Sequence, residues 1–285
     1  MMKPLVIISA FLLVCALPTQ AQQQSSLLWE ISGKDFKQPS YVFGTFHAMC
    51  KTDFDFHDSI KAKLSRTSLL VEELDMTDAS MQVKMMQSLA SSKPMASYFP
   101  AAQFEQMNKQ FQEITGVPLT MLNNFKPFMS MSMLLLKSLP CAEQVQPEML
   151  LIQYAKTKNI PVKGLEQVEE QLAAIDKQPL DSQAVALQKM VMRFDSVQQA
   201  FTQLTEVYKK KHIDSLYHFM RGSGMDDAFE TALLSERNLR WIPRIKAIAT
   251  QQPSFFAVGA GHLGGDQGVI ALLRKEGYTV KPVVY

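Results

Sequence analysis

Apolar residues are distributed differently at the two ends of the chain and in its middle. At the ends they form short runs bounded by Gly and Pro. Residues 28–32 and 41–45, separated by Gly33 and Pro39, predict a hairpin with a loose connection, and residues 69–74 form a third apolar run carrying two carboxylates. Near the other end, residues 255–258 and 279–284 flank a stretch, 267–275, whose Val269, Leu272 and Leu273 recur at helical spacing. That order predicts parallel strands joined by a helical crossover.

Between the ends the periodicity is helical. Helices are predicted over 76–90, capped by Asp75 or Thr77, and over 101–114, 123–139 and 143–158, punctuated by Pro100, Gly116-Val117-Pro118 and Pro140. A buried strand fits 161–165, and helices resume over 167–177, 182–211, 213–221 and 226–250. No Gly/Ser linker divides these pieces. The expected fold class is α/β: one domain over residues 22–285, with a small mixed β-sheet built from N- and C-terminal segments and a large helical insertion at about 77–250. Met129, Met131 and Met133 lie in a helical apolar stretch, where methionine fills core gaps; lining a greasy groove is the alternative.

Composition narrows the partners. The 285 residues are 47% hydrophobic and 20% charged, a globular balance. With 29 Lys+Arg against 27 Asp+Glu, the net charge of +2 is too small for binding driven by phosphate neutralisation, so nucleic acid is not an expected partner. The first residues run basic, apolar, small: Lys3, then an apolar stretch over 5–17, then Pro18-Thr19-Gln20-Ala21. This is the order of a secretion signal with cleavage after Ala21, and the run is too short for the roughly 20 residues a membrane-spanning helix needs. The mature chain is therefore expected to be exported to the periplasm or cell exterior without a membrane span; lipid anchoring through Cys15 is the minor alternative. Cys50 and Cys141 then remain, and in an oxidising compartment a pair closes most simply into one disulfide, worth about 4 kcal/mol for a loop of this length. Two separate buried thiols are the other reading.

Candidate chemistry centres on a repeated form: a strand-like run, a glycine, two residues and a histidine. It occurs as Val42-Phe43-Gly44-Thr45-Phe46-His47 and as Ala257-Val258-Gly259-Ala260-Gly261-His262. Ligands of open α/β sheets collect at the carboxyl ends of strands, and the two strands can be neighbours although they are far apart in sequence. Glu72 and Glu73 end a third apolar run, where a carboxylate needs a cation or hydrogen bonds to offset its desolvation. Two histidines and a carboxylate form the ligand set of hydrolytic metal centres, so His47, Glu73 and His262 are the candidate ligands. Against this stands the plain alternative of hydrogen-bonded structural histidines. Adjacent strand residues face opposite sides, so Glu72 and Glu73 cannot both point inward. His57, His212 and His218 lack such a setting. Gly259-Ala260-Gly261-His262-Leu263-Gly264 also fits a dinucleotide fingerprint, but the acidic residue expected about 20 positions on is missing.

These motifs, together with Glu73-Leu74-Asp75, Gly164-Leu165-Glu166, Gln171, Glu236-Arg237-Asn238, Trp241 and the closing Gly264-Gly265-Asp266-Gln267-Gly268-Val269, resemble the TraB/GumN family from about Leu28 to the end. The resemblance implies a fold akin to erythromycin-esterase and ChaN-like proteins, with the cleft formed by the two GxxH motifs and a glutamate. Relatives in animals, the Tiki proteins, are metal-dependent proteases using manganese or cobalt. By this likeness His47, Glu73 and His262 hold a divalent metal ion (manganese, cobalt or zinc), Arg237 pairs with a substrate carboxylate or a developing oxyanion, and Glu166 is a supporting acid or base or else a helix cap. Gly44 and Gly259 let backbone approach the ion. The expected activity is peptidase-like hydrolysis of a peptide or protein; a non-catalytic peptide- or envelope-component-binding protein and a metal-free esterase are the alternatives.

Overall fold

A computed structural model describes residues 26–33, 35–222 and 226–285. The expected leader, 1–21, lies outside the described residues. The strands are β1 (Leu28–Ser32), β2 (Ser40–Thr45), β3 (Met49–Cys50), β4 (Leu69–Glu72), β5 (Gln144–Val145), β6 (Val162–Gly164), β7 (Ser254–Gly259) and β8 (Thr279–Pro282). Six of them form a mixed sheet in the order β6-β4-β7-β2-β1-β8, and β3 pairs with β5 apart from it.

β1 and β2 are the expected antiparallel hairpin, with Leu28 opposite Phe43 and Ile31 opposite Ser40. β2 and β7 lie side by side and parallel, Tyr41 opposite Phe255 through Thr45 opposite Gly259, so the two GxxH strands are neighbours. β4 flanks β7 on the other side, also parallel, with Glu72 opposite Ala257. β8 pairs antiparallel with β1 and therefore runs parallel to β7, as the crossover requires, yet β1 and β2 separate the two. The burial patterns explain the placement. All six β2 residues are buried, which suits an interior strand, whereas β8 keeps Thr279 and Lys281 exposed and takes an edge.

The helices are α1 (Asp58–Leu64), α2 (Ala79–Ser88), α3 (Ala101–Thr115), α4 (Pro127–Lys137), α5 (Pro147–Thr157), α6 (Val168–Ile175), α7 (Leu180–Met192), α8 (Phe194–Lys209), α9 (Ile213–Arg221), α10 (Asp227–Glu230), α11 (Glu236–Gln251) and α12 (Val269–Lys275). Several differ from the sequence expectation, and the helix expected over 143–158 starts only at Pro147, because Gln144–Val145 pairs with β3 as a short strand. α2 is capped by Asp78, while Asp75 instead accepts from the Thr77 amide and hydroxyl. The single helix expected over 182–211 breaks at Arg193, at φ −128° and ψ 42°. Packing supplies the reason: Leu187 and Val191 of α7 belong to a small core with Met107, Phe111 and Leu134, whereas Tyr208 of α8 belongs to the main core around the sheet. The helix expected over 226–250 contains a π turn, Thr231–Ser235, just before α11. Single π turns often mark functional positions.

Cys50 and Cys141 form a disulfide with Cα atoms 5.8 Å apart, beside the β3–β5 ladder. Met131 and Met133 pack against the small core and Met129 against a cluster containing Leu74, so these methionines fill core gaps. Among the described residues no helix is long and apolar enough to cross a membrane.

Candidate functional site

Three adjacent strand ends bring the candidate residues together. His47 lies two residues past β2, Glu73 directly follows β4, and a short 3-10 turn, Ala260–His262, follows β7. They meet over Gly259. A Cβ on that glycine would stand 3.2 Å from Glu73 Oε1, 3.6 Å from His262 Cδ2 and 3.9 Å from His47 Nε2. Glycine therefore leaves open the space onto which all three side chains converge. His262 Nε2 and Glu73 Oε1 are 3.9 Å apart.

Glu73 rather than Glu72 faces this space. Glu73 Oε1 accepts from the Gly259 amide at 2.7 Å, and Oε2 accepts from Gln171 Nε2 at 3.1 Å and from Arg237 Nη2 at 2.5 Å. Burial pushes its carboxyl up, but the Arg237 charge, followed by His262, His47 and the Gly259 amide, outweighs burial and holds it far below the usual carboxylate range. Glu72 is its opposite: 2% exposed, with neither carboxyl oxygen hydrogen-bonded. Burial, then the nearby charges of Glu148, Asp75 and Glu73, push it up to about 9, so it is neutral at pH 7.

His262 is enclosed. Its ring lies against Trp241, centroids 4.4 Å apart, and its Nδ1 is 2.7 Å from Asn238 Oδ1. The Asn238 amide nitrogen donates to the carbonyls of His262 and Gln267, which orients Oδ1 as an acceptor. His262 must then carry its proton on Nδ1, leaving the Nε2 lone pair to accept from Arg237 Nη1 at 3.1 Å. Burial, with Arg237 assisting and Glu73 opposing, drives its pKa down to about 3.

Arg237 is 3% exposed and commits all five of its N–H donors. Nε donates to Glu166, Nη1 to the Leu233 carbonyl and His262, and Nη2 to Glu73 and Glu166. The Leu233 carbonyl comes from the π turn. Glu166 also accepts from Trp241 Nε1 at 3.0 Å, and burial outweighs these partners enough to raise its pKa. It is not the cap of α6; Gln167 takes that position.

His47 contrasts with all of these. Its side chain is 75% exposed, and its Nδ1 lies 2.8 Å from Glu148 Oε1. Desolvation lowers its pKa, but the hydrogen bond and charge of Glu148, with Glu73 behind them, outweigh it and push the imidazole up to about 9. Glu148 is pushed up by burial and pulled down further by His47, ending below its ordinary value.

Gly44 does not share the role of Gly259. A Cβ there would fall 2.7 Å from Leu263 Cδ1 and 3.0 Å from Ala260 Cβ, so this glycine lets β2 pack against the turn after β7 rather than opening space at the site. The glycines of the dinucleotide-like segment are likewise used in packing: a Cβ on Gly261 would collide with Met220 Sδ, and one on Gly264 with the Ile213 carbonyl. His57 and His212 cap α1 and α9 through Nδ1.

Among the described residues no three of His, Cys, Asp and Glu stand at ligating distances. The donor set nevertheless fits a divalent ion: two imidazoles and an ionised carboxylate surround one side-chain-free space, and each imidazole has its Nδ1 beside an oxygen acceptor, as metal-ligating histidines characteristically do. Sequence reasoning assigned no role to Glu148. For Asn238 a signal existed, its adjacency to Arg237 one helical turn before Trp241; for Glu148, 101 residues from His47, there was none.

The family described as TraB/PrgY/gumN matches residues 27–282. Among curated relatives, Metalloprotease TIKI2 of Danio rerio is 23% identical over 94% of this chain and 62% of its own length. Metalloprotease TIKI1 of Homo sapiens is 24% identical over 94% of this chain and 64% of its own length. A TIKI homolog of Amphimedon queenslandica is 24% identical over 90% and 61%. The chain thus spans less than two thirds of the length of these relatives. No solved structure matches it.

Proposed function

The chain belongs to the TraB/PrgY/gumN family, and from that premise we propose that it is an exported metal-dependent hydrolase cleaving a peptide or protein, with His47, Glu73 and His262 as the ligands of manganese, cobalt or zinc. The observation that carries the reading is the convergence of these three side chains on the space over Gly259. The metalloprotease relatives support the reaction class, and the Cys50–Cys141 disulfide is compatible with an oxidising compartment.

A divalent ion bound there would supply Lewis acidity and lower the pKa of a bound water toward about 7. The chain's own residues provide the rest. Glu73 is a carboxylate at any physiological pH because Arg237 and the Gly259 amide hold it ionised. Asn238 fixes the tautomer that leaves His262 Nε2 free of a proton. Arg237 supplies a positive charge beside the centre, and Glu166 and Trp241 keep it in place. Its Nη1–H toward His262 is the donor that comes free when His262 Nε2 is engaged elsewhere, which suits it to a developing oxyanion.

The test is cleavage of a peptide library by the purified protein with manganese, cobalt or zinc, with and without chelator, beside His262→Ala. Metal-dependent cleavage lost in the variant is expected. Cleavage that survives chelation but not His47→Ala would indicate a metal-free esterase-like mechanism, and peptide affinity without turnover would indicate a binding protein.

A further inference from the structure

We infer that Glu148 is the positioning residue of His47, and that the disulfide-linked β3–β5 ladder holds the two in register. The inference rests on the metal-centre reading above. His47 is the one candidate ligand in open solvent, at 75% side-chain exposure, on a segment that has already left β2. An exposed imidazole with two rotatable bonds samples several rotamers unless something holds it. The contact available to hold it is the 2.8 Å hydrogen bond between Nδ1 and Glu148 Oε1. With Nδ1 engaged there, Nε2 is the atom turned toward Gly259.

Glu148 is well suited to fixing a mobile partner. It sits in the first turn of α5, behind Pro147, where a carboxylate is favoured by the helix N-terminus. α5 is anchored through Leu151, Ile152 and Ala155 in the main core. The segment following His47 is fastened to the segment preceding Glu148 by independent links. Met49 pairs with Val145, the Lys51 amide donates to the Glu143 carbonyl, Lys51 Nζ is 2.7 Å from Glu143 Oε2, and Cys50 is bonded to Cys141. None of these involves Glu73 or His262. Glu148 therefore does for His47 what Asn238 does for His262, with a carboxylate in place of an amide because the ring is otherwise unrestrained.

Two readouts test this. In the metal-free wild type at fixed pH, side-chain 15N NMR of the histidines is expected to show His47 Nδ1–H in a carboxylate hydrogen bond. In Glu148→Ala that signature is lost while the His262 signals stay unchanged. Calorimetric titration with Mn2+, Co2+ and Zn2+ is expected to show about 10- to 100-fold weaker binding in Glu148→Ala, the range typical for removing a ligand's supporting partner. Glu148→Gln, which keeps an acceptor but not the charge, should fall between the two and guards against misfolding of the alanine variant. A wild type that binds metal alongside variants that bind it equally well would overturn the inference and leave the metal centre standing. A wild type that binds no metal would sink the metal centre alone, since the NMR comparison still decides whether Glu148 holds His47; an unchanged His47 signature in Glu148→Ala would overturn the inference in either case.

Discussion

The two GxxH turns share a sequence pattern and end on adjacent parallel strands, yet they place their histidines in opposite surroundings. His262 is enclosed by Trp241, Asn238 and Arg237, with both ring nitrogens hydrogen-bonded. His47 stands in solvent beside one carboxylate. The difference arises downstream of the motif. After β7 the chain turns into Ala260–His262 and is covered by α9 and α11, whereas after β2 it leaves the sheet toward β3. A short motif thus fixes which edge of the sheet a histidine reaches; the elements packed over it fix the histidine's energetics.

Histidine removal should expose this asymmetry most strongly. His262→Ala leaves Asn238 Oδ1 and one of the two Arg237 Nη1–H donors without a partner, the other still reaching the Leu233 carbonyl, and opens a void beside Trp241, which should destabilise the protein by about 3 kcal/mol or more. His47→Ala removes an exposed ring but leaves the largely enclosed Glu148 carboxylate without its partner, and should cost about 1 kcal/mol, well below the loss in His262→Ala. Urea unfolding of both variants in chelator measures the gap. Equal losses would mean that the enclosure of His262 contributes nothing, whereas both variants should lose metal-dependent cleavage.

Much of the site's framework could be read from sequence. One pattern at two distant places marks β2 and β7 as possible neighbours, which their parallel pairing realises, and Glu73 and His262 stand out by their strand-end positions, Arg237 by the family resemblance alone. The remainder depends on contacts that leave no local trace. Glu148 meets His47 across 101 residues, and α8 separates from α7 at Arg193 because the two pack in different cores, with no Gly or Pro to mark the break. β3 and β5 are two residues each, too short for any periodicity to register. The paired glutamates left open which one faces the site, and the contacts of Glu73 with the Gly259 amide, Gln171 and Arg237 settle it.

That pair gives the next prediction. Glu72 has an unfolded-state value near 4.5 and a folded value of about 9. Below 4.5 it is protonated in both states. Between the two values the unfolded chain releases the proton and the folded chain retains it, so stability falls as pH rises and levels off above about 9. Replacing it with an apolar side chain of similar length, Glu72→Met, should remove this slope and stabilise the protein by about 3 kcal/mol at pH 7. Thermal unfolding from pH 4 to 9 reads it directly. Glu73, whose folded value is depressed, contributes stability with the opposite sign: present above its unfolded value and lost only in strong acid.

The two motif glycines give the smallest effects and the finest distinction. Gly44→Ala drives a methyl to 2.7 Å from Leu263 Cδ1 and 3.0 Å from Ala260 Cβ, between two buried segments, and should destabilise the protein by about 1–3 kcal/mol. Gly259 has φ −52° and ψ 133°, a conformation alanine adopts readily, and its nearest neighbour would be Glu73 Oε1 at 3.2 Å. Gly259→Ala should therefore change the unfolding midpoint little, by under about 1 kcal/mol, while placing its methyl in the space shared by His47, Glu73 and His262. Denaturation together with peptide cleavage on the two variants separates them: Gly44→Ala weakens the fold with residual cleavage, and Gly259→Ala keeps the fold and loses cleavage. If Gly259→Ala cleaved peptide like the wild type, the reacting centre would have to lie elsewhere than over that glycine, and the convergence of the three side chains would be structural.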